Sequence, residues 1–198
     1  MQEYIRIFNN DKSNDNEKVE LTPVLLDFAN EAYAWRDLSF KRDDGQGATW
    51  LFQNNRIVEL FNSKEVRCLG DEWYRHPEFK DYGYEKGINR VYDDSDAFFA
   101  DLGYEHIRHT GKYKVRESND QRVVLFAHQG FGLAFLSCLL DIPYPMFCTH
   151  FDITHTGVTV IEFREENGYC VPKILTLSSD SHLYREGLPT RYNNEIYF

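Results

Sequence analysis

Five consecutive apolar residues, Val123 to Ala127, stand at the head of the most strongly patterned stretch of this chain. A run that short, rich in Val, Leu and Phe, predicts a central strand buried on both faces. The run stops at His128. Gln129, Gly130 and Gly132 follow, and then Phe131 to Leu140 forms a helix-length apolar segment closed by Asp141 and Pro143. Upstream, Ile88 to Leu102 places Val91, Tyr92, Phe98, Phe99 and Leu102 near helical spacing and predicts an amphipathic helix packed beside that strand. Thr49 to Phe61 has a similar spacing and predicts another helix. Val158 to Phe163 alternates and is β-branched, Glu165 to Tyr169 contains an Asn-Gly turn, and Val171 to Leu177 reads as the return strand. Nearer the N-terminus, Tyr4 to Phe8 reads as a short strand, and Leu21 to Ala29 as a strand that runs into a turn. Residues 1–20 read as a polar N-terminal segment, most polar over Asn9 to Glu20. The expected fold class is therefore α/β, in a single domain over residues 1–198.

Composition narrows the function classes. Hydrophobic residues make up 42% and aromatics 16% of the chain, enough large side chains to argue against disorder over most of its length. A net charge of -10 argues against nucleic acid or an anionic membrane as the main partner, and any anion site has to be built locally against that field. No apolar run approaches the roughly 20 residues of a membrane span, and the first 20 residues lack the apolar core of a signal peptide. Cys68, Cys138, Cys148 and Cys170 are widely spaced, with no Cys-x-x-Cys pair. This argues against zinc or redox chemistry and fits reduced thiols in a cytoplasmic protein, with no metal and no cofactor expected.

The position of His128 suggests chemistry. Open α/β sheets bind ligands beyond the carboxyl ends of their strands, and a helix start favours anions. An imidazole there can bind a phosphate or act as a general acid, and glycines beside it let backbone approach a ligand. A histidine satisfied within a strand-to-helix turn has the same sequence signature.

The stretch Gln121 to Pro145, QRVVLFAHQGFGLAFLSCLLDIPYP, resembles the second-histidine block of the histidine phosphatase superfamily, the phosphoglycerate-mutase-like fold. In that family a buried strand ends in a His followed by a small residue and a Gly, then a long apolar helix. DITHTGVTVIEF (Asp152 to Phe163) resembles the loop and strand that follow. LSSDSHLYREGLP (Leu177 to Pro189) resembles the tail of one bacterial branch, and Gly103 to Arg122 its lead-in hairpin. The resemblance covers roughly Thr22 to Pro189 and is stronger after Phe98. It implies a three-layer α/β sandwich, N-terminally incomplete, with residues 36–96 as an inserted cap. It implies a small phosphorylated substrate, with His128 catalytic and a carboxylate as proton donor. Asp27 and Glu31 are the two candidates, and Glu31, in Asn30-Glu31 before Tyr33-Ala34-Trp35, matches the family pattern better. Gly130, His155 and Arg36 are the implied phosphate or substrate contacts.

The family nucleophile, a His in an Arg-His-Gly motif on the first strand, has no counterpart in this sequence. Arg108-His109-Thr110-Gly111 is the nearest approach, but it falls in a polar segment where the family has a variable hairpin. Arg75-His76-Pro77 reads as a surface turn. Three readings follow: a truncated phosphatase, one half of a split enzyme, or a family member that has lost catalysis and now binds something. Lacking its first strand, the sheet is expected to leave a central edge open to a complementing chain or a second copy. The non-catalytic alternative is a binding or assembly module.

Overall fold

A computed structural model of the chain describes residues 4–8, 21–42 and 44–189. Of the expected polar N-terminal segment, residues 1–3 and Asn9 to Glu20 lie outside the described residues. The chain begins with β1 (Tyr4–Phe8) and β2 (Leu21–Leu25). One 3-10 turn at Asp27–Ala29 leads to Asn30, whose side chain accepts a hydrogen bond from Ala32 N at 2.9 Å and starts α1 (Glu31–Leu38). A short hairpin, β3 (Ser39–Lys41) and β4 (Ala48–Trp50), precedes α2 (Asn55–Phe61) and α3 (Lys64–Leu69). Thr49 to Phe61 is thus not one helix. Asn54 turns its side chain to Ile57 N and fixes the α2 start there, leaving Ala48–Trp50 to pair as a strand. After 3-10 turns at Gly70–Arg75 and Pro77–Phe79 comes α4 (Tyr84–Asp101), the expected amphipathic helix.

The second half holds the hairpin β5 (Tyr104–Ile107) and β6 (Lys112–Val115), then β7 (Arg122–Leu125), α5 (Gln129–Leu140) and α6 (Tyr144–His150). Four strands and a short helix follow: β8 (Val158–Glu162), β9 (Glu165–Glu166), β10 (Tyr169–Cys170), β11 (Lys173–Ser179) and α7 (Ser181–Arg185). Asn167 and Gly168, with φ of 54° and 78°, make the expected tight turn. This hairpin joins the earlier one in the order β5-β6-β10-β9, while β8 pairs with β11. No helix among the described residues is long and apolar enough to cross a membrane.

The arrangement is mixed α/β, but the strand before His128 corrects the expectation. The third sheet has the order β2-β1-β7, so β7 is an outer strand among those described, not a central one. Val123 to Leu125 are half-buried, and Phe126 is 51% exposed. The physical reason is that the core is made by helices. Phe131 and every residue from Leu133 to Leu139 of α5 are buried, and α4 and α6 pack against them. A continuous apolar run shows that a strand is half-covered at least; it does not count the strand's neighbours. The edge of β7 next to the sheet centre is occupied by β1, antiparallel to both β2 and β7.

Residues 36–96 share this core. The Trp73 ring lies 5.5 Å from Phe61 and Phe79, 5.7 Å from Tyr84 and 5.8 Å from Tyr144 of α6. A second aromatic group joins Phe99, Tyr113, Phe135 and Phe163, with centroids 5.1–5.9 Å from Phe99. Trp73→Ala is expected to lower the unfolding free energy by roughly 3–5 kcal/mol, as for a fully buried large aromatic. Trp35, 37% exposed, is expected to lose less than half as much on truncation to Ala. Denaturant unfolding of the two variants measures the difference, and equal losses would contradict a core shared by residues 36–96 and α6.

Candidate functional site around His128

Chain topology sets where the segments carrying Asp27 and His128 leave the sheet. Both β2 and β7 run antiparallel to β1, so they are parallel to each other, with Leu25 opposite Tyr4 and Leu125 opposite Ile5. They therefore leave the sheet at the same end, about two strand spacings, or ~10 Å, apart. From β2 the chain delivers Asp27 and the start of α1; from β7 it delivers His128. Phe28 bridges the gap, with its ring 5.7 Å from Phe131 in the first turn of α5.

His128 occupies the N-cap of α5 with extended backbone (φ -79°, ψ 161°), and its carbonyl accepts Gly132 N at 2.9 Å. Its side chain makes no cap hydrogen bond and is partly buried. Gly130 is explained by packing. A Cβ there would lie 2.2 Å from Trp50 Cζ2, so the indole covers the helix where other residues carry a side chain. The group that approaches this glycine is an aromatic ring of the chain itself. Trp35 of α1 meets Trp50 edge-on at 5.0 Å, so α1, β4 and the α5 N-terminus form one contact. Glu31 is the first residue of α1; its side chain lies outside what the structure describes. Asp27 is exposed.

A third segment reaches the same place. Gln129 Nε2 donates to Asp152 Oδ1, and Ile153 packs against Gly132. His155 stands exposed in the loop that continues from there. The next residue, Thr156, meets His182 of α7 across 3.3 Å between hydroxyl oxygen and Nε2. Gln129 thus ties the α5 start to the loop that carries His155, and Phe28 ties the β2 exit to the same helix turn.

Arg36 is not directed there. Its guanidinium forks onto Asp37 at 2.8 and 3.2 Å and lies 5.3 Å from the Tyr33 ring. Asp37 also takes Arg90 Nε at 3.0 Å. Burial alone would raise the Asp37 carboxyl, but the two arginines outweigh it and hold it below the usual range.

The Arg108-His109-Thr110-Gly111 series forms the turn between β5 and β6. Asp141, the C-cap of α5, accepts Thr110 N at 2.9 Å and Gly111 N at 2.8 Å. His109 and His128 therefore sit at opposite ends of a 12-residue helix, which spans about 18 Å. In-line phosphoryl transfer needs a few ångströms, so one bound phosphate cannot meet both. Arg108 is committed to Asp93 at 2.6 Å and Asp96 at 2.5 Å. His76 caps the 3-10 turn that follows it, with Nδ1 accepting Glu78 N at 3.3 Å, as a surface turn requires.

One cluster escaped the sequence reading. His106 lies between Asp96, 2.7 Å away, and Asp141, 3.1 Å away, with its side chain 1% exposed. Burial would lower its pKa, but the two carboxylates push it up to about 9. Asp141, which burial alone would raise, is held down to about 2, chiefly by His106 and the Gly111 N–H. The available signal was alternation: His106 shares the inward face of β5 with Tyr104. Nothing in the spacing of residues 96, 106 and 141 announces that they meet. Among the described residues no group of three or more His, Cys, Asp and Glu is placed to hold a metal.

Compared with protein-family models, with curated proteins and with solved structures, the chain finds no match in any of the three.

Gly130→Ala is expected to cost about 1–3 kcal/mol through overpacking against Trp50. The double variant Gly130→Ala/Trp50→Leu should recover part of that loss, read as a coupling energy from thermal or denaturant melts. Additive losses would mean that the indole does not set the glycine.

Proposed function

We propose that the chain is a phosphoglycerate-mutase-like member of the histidine phosphatase superfamily, with residues 36–96 over its site. In this reading the site around His128 takes a small phosphorylated molecule but is catalytically incomplete in this chain alone. The observation that carries the reading is the convergence of the β2 exit, the α5 N-terminus at His128 and the loop of His155 at one end of the sheet. The order of these segments along the chain is the order in which the family resemblance would use them. His128 then faces the phosphate, and Glu31, or Asp27 in its stead, supplies the proton to the leaving group.

Two physical facts support incompleteness. Covalent phosphoryl transfer needs a nucleophile, and His109, the histidine of the near-match motif, sits at the far end of α5. A phosphoryl transition state also needs preorganised positive charge, whereas Arg36 and Arg108 are each neutralised by adjacent aspartates. No cofactor enters this reading.

A second reading, an assembly module, draws on different observations. Leu25 and Phe126, at the same end of the sheet, are 52% and 51% exposed, and the outer edge of β7 pairs with no described strand. Such an edge accepts a further strand.

The purified chain is expected to bind phenyl phosphate by calorimetry, with affinity reduced tenfold or more in His128→Ala, and to hydrolyse it no faster than that variant does. Turnover that is lost in both His128→Ala and His109→Ala would overturn the proposal. Absence of binding, with self-association that is lost on placing a proline in β7, would favour the assembly module instead.

A further inference from the structure

We propose that the Asp96–His106–Asp141 cluster is a latch that holds the 108–111 turn against the C-terminal end of α5 and releases it when the imidazole loses its proton. The geometry carries the argument. The His106 ring stacks on Tyr113 at 4.3 Å and 6°, and on Tyr92 at 6.3 Å and 20°. Held flat, it offers Nδ1 to Asp96 and Nε2 to Asp141. A neutral imidazole has one donor and one acceptor, so only the imidazolium can donate to both carboxylates. Deprotonation turns one of these contacts into lone pair against lone pair, and it leaves two aspartates facing each other in a buried place.

Asp141 is the hinge of the arrangement. Its Oδ2 accepts from His106, Thr110 N and Gly111 N, and its Oδ1 accepts from the Tyr92 hydroxyl at 3.3 Å. Its own backbone is left-handed (φ 52°), as is that of His109 (φ 64°) in the docked turn. Left-handed backbone is uncommon outside glycine, although Asp and His adopt it more readily than most.

The charges around the ring decide the direction. α4 contributes Asp93 and Asp96, the α5 end contributes Asp141, and Asp71 reaches His109 Nδ1 at 2.8 Å. Arg108 is the other cation of the cluster. The Tyr92 and Tyr113 phenols and the Cys138 thiol are all pushed up by burial and stay neutral. His106 rises from 6.5 to about 9. Its stabilising contribution is complete below pH 6.5 and is lost as pH rises through about 9. Asp141, lowered from 3.8 to about 2, keeps its contribution above pH 3.8 and loses it only as pH falls towards 2. Over the range between, the latch opens in one direction, with alkali.

Trypsin reads the turn directly, because Arg108 and Lys112 bracket it. Cleavage after these two residues, normalised at each pH to an unfolded peptide of the same sequence, is expected to rise tenfold or more between pH 7.5 and 9.5. Cleavage after exposed Arg164 should stay constant, and the far-UV circular dichroism should be retained. His106→Gln should be cut rapidly at both pH values. Asp96→Asn, which removes one carboxylate and keeps the ring, should move the midpoint to lower pH, and it carries the test if the first variant does not fold. The His106 ring resonance should report an imidazolium at pH 8. Protection that persists to pH 9.5, a rise that survives in His106→Gln, or loss of all secondary structure together with the cleavage would each overturn the latch.

Discussion

A helix buried on every side imposes its terms on the rest of a chain this size. From Leu133 to Leu139, α5 has no solvent face, so all its flanks need partners. α4 covers one, α1 and α6 cover others, and the aromatic groups around Trp73 and Phe99 fill the space between. The strands are arranged at the margins of this helical core, which is why they form four small sheets and not one broad sheet. Removal of so much apolar surface from water is the main stabilising term. It also fixes the two ends of α5, where the polar groups of interest lie. At the N-terminal end is His128, with three segments converging on it; at the C-terminal end is Asp141, gripping a turn.

The two ends differ in how their polar groups are satisfied. At the Asp141 end nearly every donor has an acceptor, and the charges are opposed in close pairs. At the His128 end, Gln129 is tied to Asp152 and Phe28 packs on Phe131, while Asp27 and His155 on the connecting segments are exposed. The near-match of Arg108-His109 to a catalytic motif dissolves on this comparison, because Arg108 is paired with Asp93 and Asp96 and His109 contacts Asp71, all at the Asp141 end.

Local patterns in the sequence were legible wherever one residue type decides a conformation. The Asn167-Gly168 turn, the α4 amphipathic stripe, the short strand at Tyr4 to Phe8 and the α5 segment all follow from neighbours in sequence. The split of Thr49 to Phe61 was also encoded, in Asn54, but a capping asparagine inside an apolar-spaced stretch competes with the periodicity and was outweighed by it. The status of β7 was not legible, since Val123 to Ala127 carries no information about which distant strands pair with it. Chain order was legible as far as the segments that carry His128, His155 and Asp27 to Glu31. The diversion of Arg36 onto Asp37 and the filling of the Gly130 face by Trp50 are three-dimensional facts between residues whose side-chain direction the sequence leaves open. The Asp96, His106 and Asp141 grouping belongs to the same class.

The pairing of β1 with β7 has a consequence in time. Ile5 and Leu125 are partners about 120 positions apart, whereas β1 and β2 lie close in sequence and can pair early. Closing the longer loop costs chain entropy before any contact rewards it. On a ribosome adding ~5–20 residues per second, β1 is made many seconds before its second partner emerges. During that interval its outer edge is an unclaimed template exposed to other nascent chains, and synthesis of β7 ends the exposure. The strand that completes this sheet is the one that leads directly into His128, so the N-terminal end of α5 is tied to the sheet only once β7 has been made.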